Sequence, residues 1–127
     1  AVDLVIKAFE DMIGGEIYVK KIPSMKITDL AKVIAPDAEQ KIIGIRPGEK
    51  LHEQMIGEED SPYTYEYDDY YKILPVINNW SDDKERIQDG EKVDSTFTYN
   101  SENNSDWMSS EQLQKWLDKN KEKMVIL

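Results

Sequence analysis

The chain has 127 residues, 39% of them hydrophobic, which supports one domain with a modest core and excludes two full domains. Asp and Glu number 26 against 16 Lys and Arg, and the formal charge of −10 disfavours nucleic acid and anionic membranes as partners. There is no Cys, which excludes disulfides, thiolate nucleophiles and Cys-ligated metals.

Targeting signals are not evident in the sequence. No apolar run approaches the ~20 residues of a membrane helix, and the N-terminus lacks the basic and apolar regions of a signal peptide. We therefore expect a cytoplasmic protein. A helical pattern is already running at Ala1-Val2-Asp3, without a cap or an initiator Met. This indicates a piece of a longer protein.

The first half of the chain alternates predicted helices and strands. In chain order they are a helix over 2–13, a strand over 16–20, a helix over 27–34, a strand over 41–45 and a short helix over 49–56. Gly14-Gly15 is expected to end the first helix, because glycine adopts the left-handed conformation freely. Pro36 forces the end of the second helix, and Pro47-Gly48 demands a turn after the second strand.

The second half is predicted to contain a hairpin and a long helix. Tyr63–Tyr67 and Tyr70–Val76 favour two strands joined at Asp68-Asp69, and Thr96–Tyr99 favours one more. The polar stretch of about 78–94 is expected to be a surface loop. Ser109 and Gln112 form a capping-box pattern, and Leu113, Trp116 and Leu117 would be the buried stripe of the last helix. Together these elements predict a single small α/β (or α+β) domain over residues 1–127.

Most residues that could act in catalysis or ligand binding have a simpler, structural interpretation. No Gly-rich turn joins a strand to a helix and no Tyr has Lys four residues later, so neither a dinucleotide site nor short-chain dehydrogenase chemistry is expected within this chain. The lone His52 lacks catalytic partners. Acidic pairs such as Asp68-Asp69 are expected in so acidic a chain and indicate solvated loops. We predict no catalytic, cofactor-binding or metal-binding residue here.

Arg46-Pro47-Gly48-Glu49 is the exception. An Arg at the end of an apolar strand, before a rigid turn, would place a planar fork of donors at the strand's C-terminal edge, where open α/β sheets bind ligands. Such a fork suits a diphosphate. Glu49 could accept hydrogen bonds from ribose hydroxyls or could simply favour the start of a helix.

Longer motifs carry a family resemblance. The stretches Gly14–Val19, Lys21–Ala31, Gly44–Glu53, Glu66–Tyr71 and Trp107–Leu113 together resemble the C-terminal part of the inverting UDP-N-acetylglucosamine 4,6-dehydratases. These are extended short-chain dehydrogenase/reductases of polysaccharide biosynthesis. The resemblance spans most of the chain. Lys20 departs from it, since many relatives carry Pro there, and residues 80–94 look like a variable insertion.

The resemblance implies a function for the parent protein. Such a lyase uses NADP to oxidise the sugar at C4, eliminates water across C5 and C6, and returns the hydride to C6 with inversion at C5. It also implies that Arg46 and Glu49 contact the UDP part of the substrate. The NADP site and the catalytic Asp, Lys and Tyr would belong to a Rossmann half that this sequence lacks, so the chain would be inactive alone.

Two partners and three alternatives follow. We expect the chain to bind a UDP-sugar and the missing Rossmann half, and to self-associate through apolar surface that the missing half would cover. Within the same family, a retaining dehydratase or a nucleotide-sugar epimerase remains open. From another class, an acidic protein-interaction module without enzymatic activity remains open.

Overall fold

The computed structural model describes residues 2–124, with side chains through residue 120. The helices are α1 (Val2–Asp11), α2 (Ile27–Ile34), α3 (Lys84–Ile87) and α4 (Ser110–Met124). The strands are β1 (Ile17–Lys20), β2 (Gln54–Ile56), β3 (Thr64–Glu66), β4 (Tyr70–Ile73), β5 (Glu91–Lys92) and β6 (Tyr99–Asn100). Two 3-10 helices cover Glu58–Tyr63 and Ile77–Asp82.

The chain divides into two compact units. The first contains the residues up to Ile22 together with Glu53–Asn103, and the second contains Pro23–His52 together with the residues from Asn104 onward. All ladders between the named strands are antiparallel. Helices combined with small antiparallel sheets confirm the predicted fold class, in its α+β form. The prediction of a single domain over residues 1–127 stays a prediction.

The first unit is built on a four-stranded sheet with the order β1-β4-β3-β5. The predicted hairpin is confirmed: β3 and β4 pair directly, and the Tyr67 N–H donates to the Tyr70 carbonyl at 3.0 Å across the Asp68-Asp69 turn. A separate two-stranded ladder joins β2 to β6. The predicted strand Thr96–Tyr99 is therefore shifted toward the C-terminus, to Tyr99–Asn100.

The central strand β4 is buried on both faces of the sheet. On one face Tyr71 and Ile73 join Val19, and Ile56 and Tyr99 pack with them. On the other face Tyr70 lies in a second cluster with Tyr65, Tyr67 and Leu74, against which Leu4 of α1 also packs. Because successive side chains of a strand point to opposite faces, both halves of this core depend on β4.

One side of α1 is apolar and uncovered. This surface, the exposed α1 face, consists of Val2, Val5, Ile6 and Phe9, with exposed fractions of 53–76%. Leu4, Ala8 and Asp11 are half-buried, and at about 100° per residue they lie on the opposite side of the helix. The exposure of apolar residues on the first helix was predicted. Gly14 and Gly15 follow the helix with φ of 138° and 84°, which confirms them as its terminator.

The polar segment 78–94 is more ordered than a loop. It contains part of a 3-10 helix, the short helix α3 and the edge strand β5. The Tyr65 and Tyr67 hydroxyls donate to the Ser81 and Ile87 carbonyls at 3.0 and 2.6 Å. Arg86 is 5% exposed and pairs with the buried carboxylate of Glu16. These contacts attach the segment to the sheet.

The second unit pairs α2 with α4. The predicted capping box is confirmed: the Ser109 N–H donates to Gln112 Oε1 at 2.7 Å, and the Gln112 N–H donates to Ser109 Oγ at 3.2 Å. Leu113 is buried, as predicted, but Trp116 is 49% exposed and is not a core residue.

Two elements predicted between α2 and β2 do not form. Residues 41–45 are irregular, and residues 49–53 are not helical, while Gln54–Ile56 is a strand. Gly44 has a φ of +85°, which breaks the extended conformation at the centre of the predicted strand. A strand needs a neighbouring strand for its hydrogen bonds, and the described residues provide none for residues 41–45.

Candidate functional site

The candidate site is the Arg46-Pro47-Gly48-Glu49 turn. Its chain reversal is closed by the Glu49 N–H, which donates to the Arg46 carbonyl at 3.0 Å. Gly48 has a φ of +87°, the conformation that the third residue of a type II turn requires, and proline suits the second position. The motif therefore folds locally, from its own sequence.

The side chain of Glu49 closes the turn a second time. Its Oε2 accepts from the Arg46 N–H at 2.8 Å, and its Oε1 lies 3.6 Å from Arg46 Nε. Within the described part of the chain, the Arg46 side chain and backbone N–H make no other hydrogen bond or ion pair. The carboxylate thus occupies the Nε edge of the guanidinium and leaves its two terminal amino groups for a ligand.

The accessibility of Arg46 agrees with the prediction, but its position in the fold does not. The Arg46 side chain is 75% exposed and that of Glu49 is 49% exposed, so the guanidinium is accessible as expected and is not locked in a core ion pair. However, Arg46 does not lie at the end of a strand. The turn's geometry is present, but the sheet edge that should carry it is absent from the described residues.

Glu49 has a role that its sequence position did not reveal. We expected a ribose-hydroxyl acceptor or a helix-favouring acid, and no helix follows it. Its carboxylate contacts Arg46 at the backbone N–H and near Nε. The role of ribose-hydroxyl acceptor stays a prediction. The three-residue spacing across a Pro-Gly turn was the only signal that could have indicated this.

The acidic side chains elsewhere fit the solvated interpretation. A cleft of about 570 Å³ is lined by residues of the β3–β4 turn, α1 and the segment after α3. Two of its carboxylates pair with lysines: Lys21 Nζ contacts Glu66 at 2.7 Å, and Lys20 contacts Asp69, whose pKa is lowered by that hydrogen bond. In residues 2–120, no group of three potential ligand side chains could hold a metal ion.

Comparison with known proteins identifies the family of this α+β chain, and the matched region includes the Arg46 turn. Residues 1–75, which include Arg46 and Glu49, match the family described as "Polysaccharide biosynthesis protein". The chain belongs to this family.

Particular relatives narrow the resemblance. Two are named "UDP-N-acetylglucosamine 4,6-dehydratase (inverting)", from Campylobacter jejuni strains of serotypes O:2 and O:23/36, and are 50% and 48% identical over 117 residues. A UDP-glucose 4-epimerase from Rickettsia massiliae is 39% identical over 77 residues, or 58% of this chain and 23% of the epimerase. The dehydratase resemblance inferred from the motifs is confirmed.

The chain is much shorter than these relatives. The Campylobacter alignments cover 88% of this chain and 35% of each dehydratase, so the chain spans about a third of their length. The X-ray structure of Pen from Bacillus thuringiensis has the same fold over 94% of this chain and 36% of Pen, with a TM-score of 0.75 and 22% identity. None of the helices described here is long and apolar enough to cross a membrane.

Proposed function

We propose that this chain binds the nucleotide part of a UDP-sugar and forms the substrate-binding portion of a UDP-N-acetylglucosamine 4,6-dehydratase. The observation that carries the proposal is the exposed Arg46 turn, which lies within the region matched to the polysaccharide biosynthesis family. The names of the Campylobacter relatives supply the substrate class. The parent protein would act in the cytoplasm, in surface polysaccharide or flagellin-glycan synthesis.

The turn suits a diphosphate for physical reasons. A guanidinium offers paired donors in a plane, and phosphate oxygens accept such pairs with charge-assisted hydrogen bonds. Pro47 and the left-handed Gly48 restrict the backbone, and the Glu49 carboxylate lies 3.6 Å from Arg46 Nε. The two terminal amino groups remain accessible to a ligand. A restricted backbone reduces the conformational freedom that is lost on binding.

The chemical steps are assigned to the rest of the longer protein. This chain has no Gly-rich turn between a strand and a helix and no Tyr with Lys four residues later. NADP would bind to the rest of the longer protein, where the cofactor would accept the hydride and return it. We expect no turnover of UDP-N-acetylglucosamine by the isolated chain. Detection of a 4-keto product from pure chain would contradict this division of labour.

The direct test is titration of the ¹⁵N-labelled chain with UDP up to millimolar concentration. The amide signals of Arg46, Gly48 and Glu49 should shift, and Arg46→Ala should abolish the shifts at Gly48 and Glu49. Lys50→Ala is the matched control, because it removes a neighbouring exposed positive charge outside the turn. Equal shifts in the wild type and Arg46→Ala would remove Arg46 from the site.

In a full-length enzyme carrying this chain, Arg46→Ala should raise the substrate KM and weaken UDP binding by about 2 kcal/mol, the loss expected for a charged hydrogen bond. Calorimetry with UDP measures it. Unchanged UDP affinity would contradict the assignment.

A UDP-sugar epimerase is the second candidate, and the Rickettsia relatives favour it. Both candidates would use the same UDP contact, so the turn does not separate them. Incubating the full-length protein with UDP-N-acetylglucosamine and analysing the sugar by NMR does. A 4-keto-6-deoxy sugar inverted at C5 indicates the inverting dehydratase, retention at C5 indicates a retaining one, and an axial 4-hydroxyl indicates the epimerase.

A further inference from the structure

The cleft of about 570 Å³ in the first unit is rimmed by carboxylates that lack counter-ions. Every residue that lines it belongs to this unit. Three exposed lining carboxylates, those of Asp68, Asp89 and Glu91, form no ion pair with the described residues. Of the lining lysines, Lys21 is paired with an acid and Lys7 is not. Three unpaired carboxylates against one unpaired ammonium group leave a net charge of −2 around the cleft.

The ladder beside the cleft sets two lining acids against each other. Glu66 of β3 and Glu91 of β5 are direct cross-strand partners in the antiparallel register. Like charges at directly opposed positions destabilise a ladder. Lys21 Nζ contacts Glu66 at 2.7 Å, but no cation of the described chain pairs with Glu91. A further cation at this position would remove the repulsion that remains.

A buried tyrosine also presents its hydroxyl to the cleft without a partner. Tyr70 is 3% exposed and lines the cleft, yet its hydroxyl makes no hydrogen bond to the described residues. The hydroxyl is not among the fully enclosed polar atoms, so its open side is the cleft. Burial, followed by the charges of Asp11 and Asp89, raises the pKa of Tyr70 to about 12. The protonated hydroxyl can therefore accept a hydrogen bond from a ligand at neutral pH.

The aromatic wall of the cleft already accommodates an ammonium group. The Tyr70 ring stacks on the Tyr67 ring, with centroids 4.5 Å apart and an angle of 3° between the planes. Lys7 Nζ lies 4.8 Å from the Tyr70 centroid. Ammonium groups are attracted to the faces of aromatic rings. The cleft thus combines carboxylates, a hydroxyl acceptor and an aromatic wall, which are the groups that recognise an organic ammonium ion.

We propose that this cleft binds a linear aliphatic diamine, of which 1,4-diaminobutane is a simple example. One ammonium group pairs with Glu91, and the other donates to the Tyr70 hydroxyl and pairs with Asp89. Two positive charges match the net charge of the unpaired groups, and the cleft volume lies in the range of small-molecule sites. A metal ion fits less well, because residues 2–120 bring no three ligand side chains together. The site does not involve the Arg46 turn, so its test is independent of the proposed function.

Titration of the ¹⁵N-labelled chain with 1,4-diaminobutane at physiological ionic strength is the test, because salt screens diffuse attraction between exposed charges. The amide signals of Tyr70, Asp89 and Glu91 should shift together and saturate. The monoamine n-butylamine should bind at least about tenfold more weakly, since it lacks the second charge. Equal affinities for the two amines, or shifts that do not saturate, would overturn the proposal. A dilysine peptide that binds more tightly than the diamine would overturn it in favour of a protein partner.

Two variants test the assigned groups. Tyr70→Phe removes the hydroxyl and keeps the ring, and Asp89→Asn removes the charge and keeps the shape. Each should weaken diamine binding about tenfold. Neither side-chain group is hydrogen-bonded within the described chain, so both variants should keep the wild-type melting temperature. Asp37→Asn, which removes an exposed carboxylate of the second unit, is the matched control and should keep the wild-type affinity. Wild-type affinity in either Tyr70→Phe or Asp89→Asn would overturn the proposal.

Discussion

The buried ion pair between Asp11 and Lys72 should be a sensitive electrostatic contact in the first unit. Lys72 is 1% exposed, and its Nζ lies 2.6 Å from Asp11 Oδ2 and donates to the Arg86 carbonyl at 2.8 Å. The ring centroids of Tyr67 and Tyr18 lie 5.0 and 5.5 Å from it. Asp11→Ala removes the counter-charge and leaves the ammonium group enclosed.

The expected loss of stability is large. Removing one partner of a buried pair costs about 3–5 kcal/mol, because the remaining charge stays desolvated. Asp11 keeps 12% exposure, which favours the lower end, but its carboxylate also accepts from the Tyr18 hydroxyl at 2.6 Å. We therefore expect a loss of about 3 kcal/mol for Asp11→Ala.

Urea unfolding, followed by tryptophan fluorescence, measures the loss. With a typical slope of 1–3 kcal/mol per molar urea, the midpoint should fall by roughly 1–3 M. Asp69→Ala is the matched control, since Asp69 pairs with Lys20 at the surface and should cost less than about 1 kcal/mol. Replacing both partners, as Asp11→Leu with Lys72→Met, should recover most of the stability. Equal midpoints for Asp11→Ala and Asp69→Ala would refute this reasoning.

The dependence of stability on pH in the acidic range provides an independent check of the Asp11–Lys72 pair. Burial raises the pKa of the Asp11 carboxyl, but hydrogen bonds from Lys72 and Tyr18 outweigh it and hold the pKa below its ordinary value. The folded pKa is then lower than the unfolded value of about 3.9, so the contribution to stability is present above that pH and is lost as the pH falls. The free energy of unfolding of Asp11→Ala should therefore decrease less than that of the wild type as the pH falls below that value.

Three further outcomes are expected. Burial raises the pKa of Tyr70 and Tyr71 to about 12, so these tyrosines ionise at lower pH in the unfolded chain than in the folded one. The free energy of unfolding should therefore fall as the pH rises above about 10. A tyrosinate absorbance titration whose midpoint is not at higher pH in the folded chain would contradict this. Ser109→Ala should destabilise α4 by about 1 kcal/mol, visible as reduced helical circular dichroism on heating, and an unchanged melting curve would count against the cap. The chain should self-associate through the exposed α1 face, so Phe9→Asp should reduce the mass seen by light scattering and Glu10→Gln should not; a monomeric wild type would contradict this.

The elements that were predicted correctly depend on local signals. The periodic apolar residues of α1 and α2, the Gly14-Gly15 terminator and the Ser109 capping box all act within a few residues of the chain. The β3–β4 hairpin is also local, because its strands are joined by a short turn. In each case the residues that stabilise the element lie within or next to it in the sequence.

The wrong predictions concern residues whose environment is set from a distance. Arg86 lies in the stretch that was predicted to be a surface loop, yet it is buried beside Glu16, which precedes β1. Lys72 of the predicted hairpin is likewise buried, beside Asp11 of α1. Trp116 was expected in the core, but helix periodicity identifies an apolar side without showing whether another element covers it. Neither outcome can be derived from neighbouring residues alone.

The candidate site combines both situations, and this explains why it was predicted only in part. The Arg46–Glu49 turn forms from its own Pro-Gly pair and its own carboxylate, so its exposed guanidinium could be anticipated. The segment before it, residues 41–45, is rich in β-branched residues, but propensity differences of about 1 kcal/mol cannot hold a strand without a ladder. A ligand that binds the turn in the isolated chain would have to supply that order itself. The local contact can therefore exist before the complete binding site does.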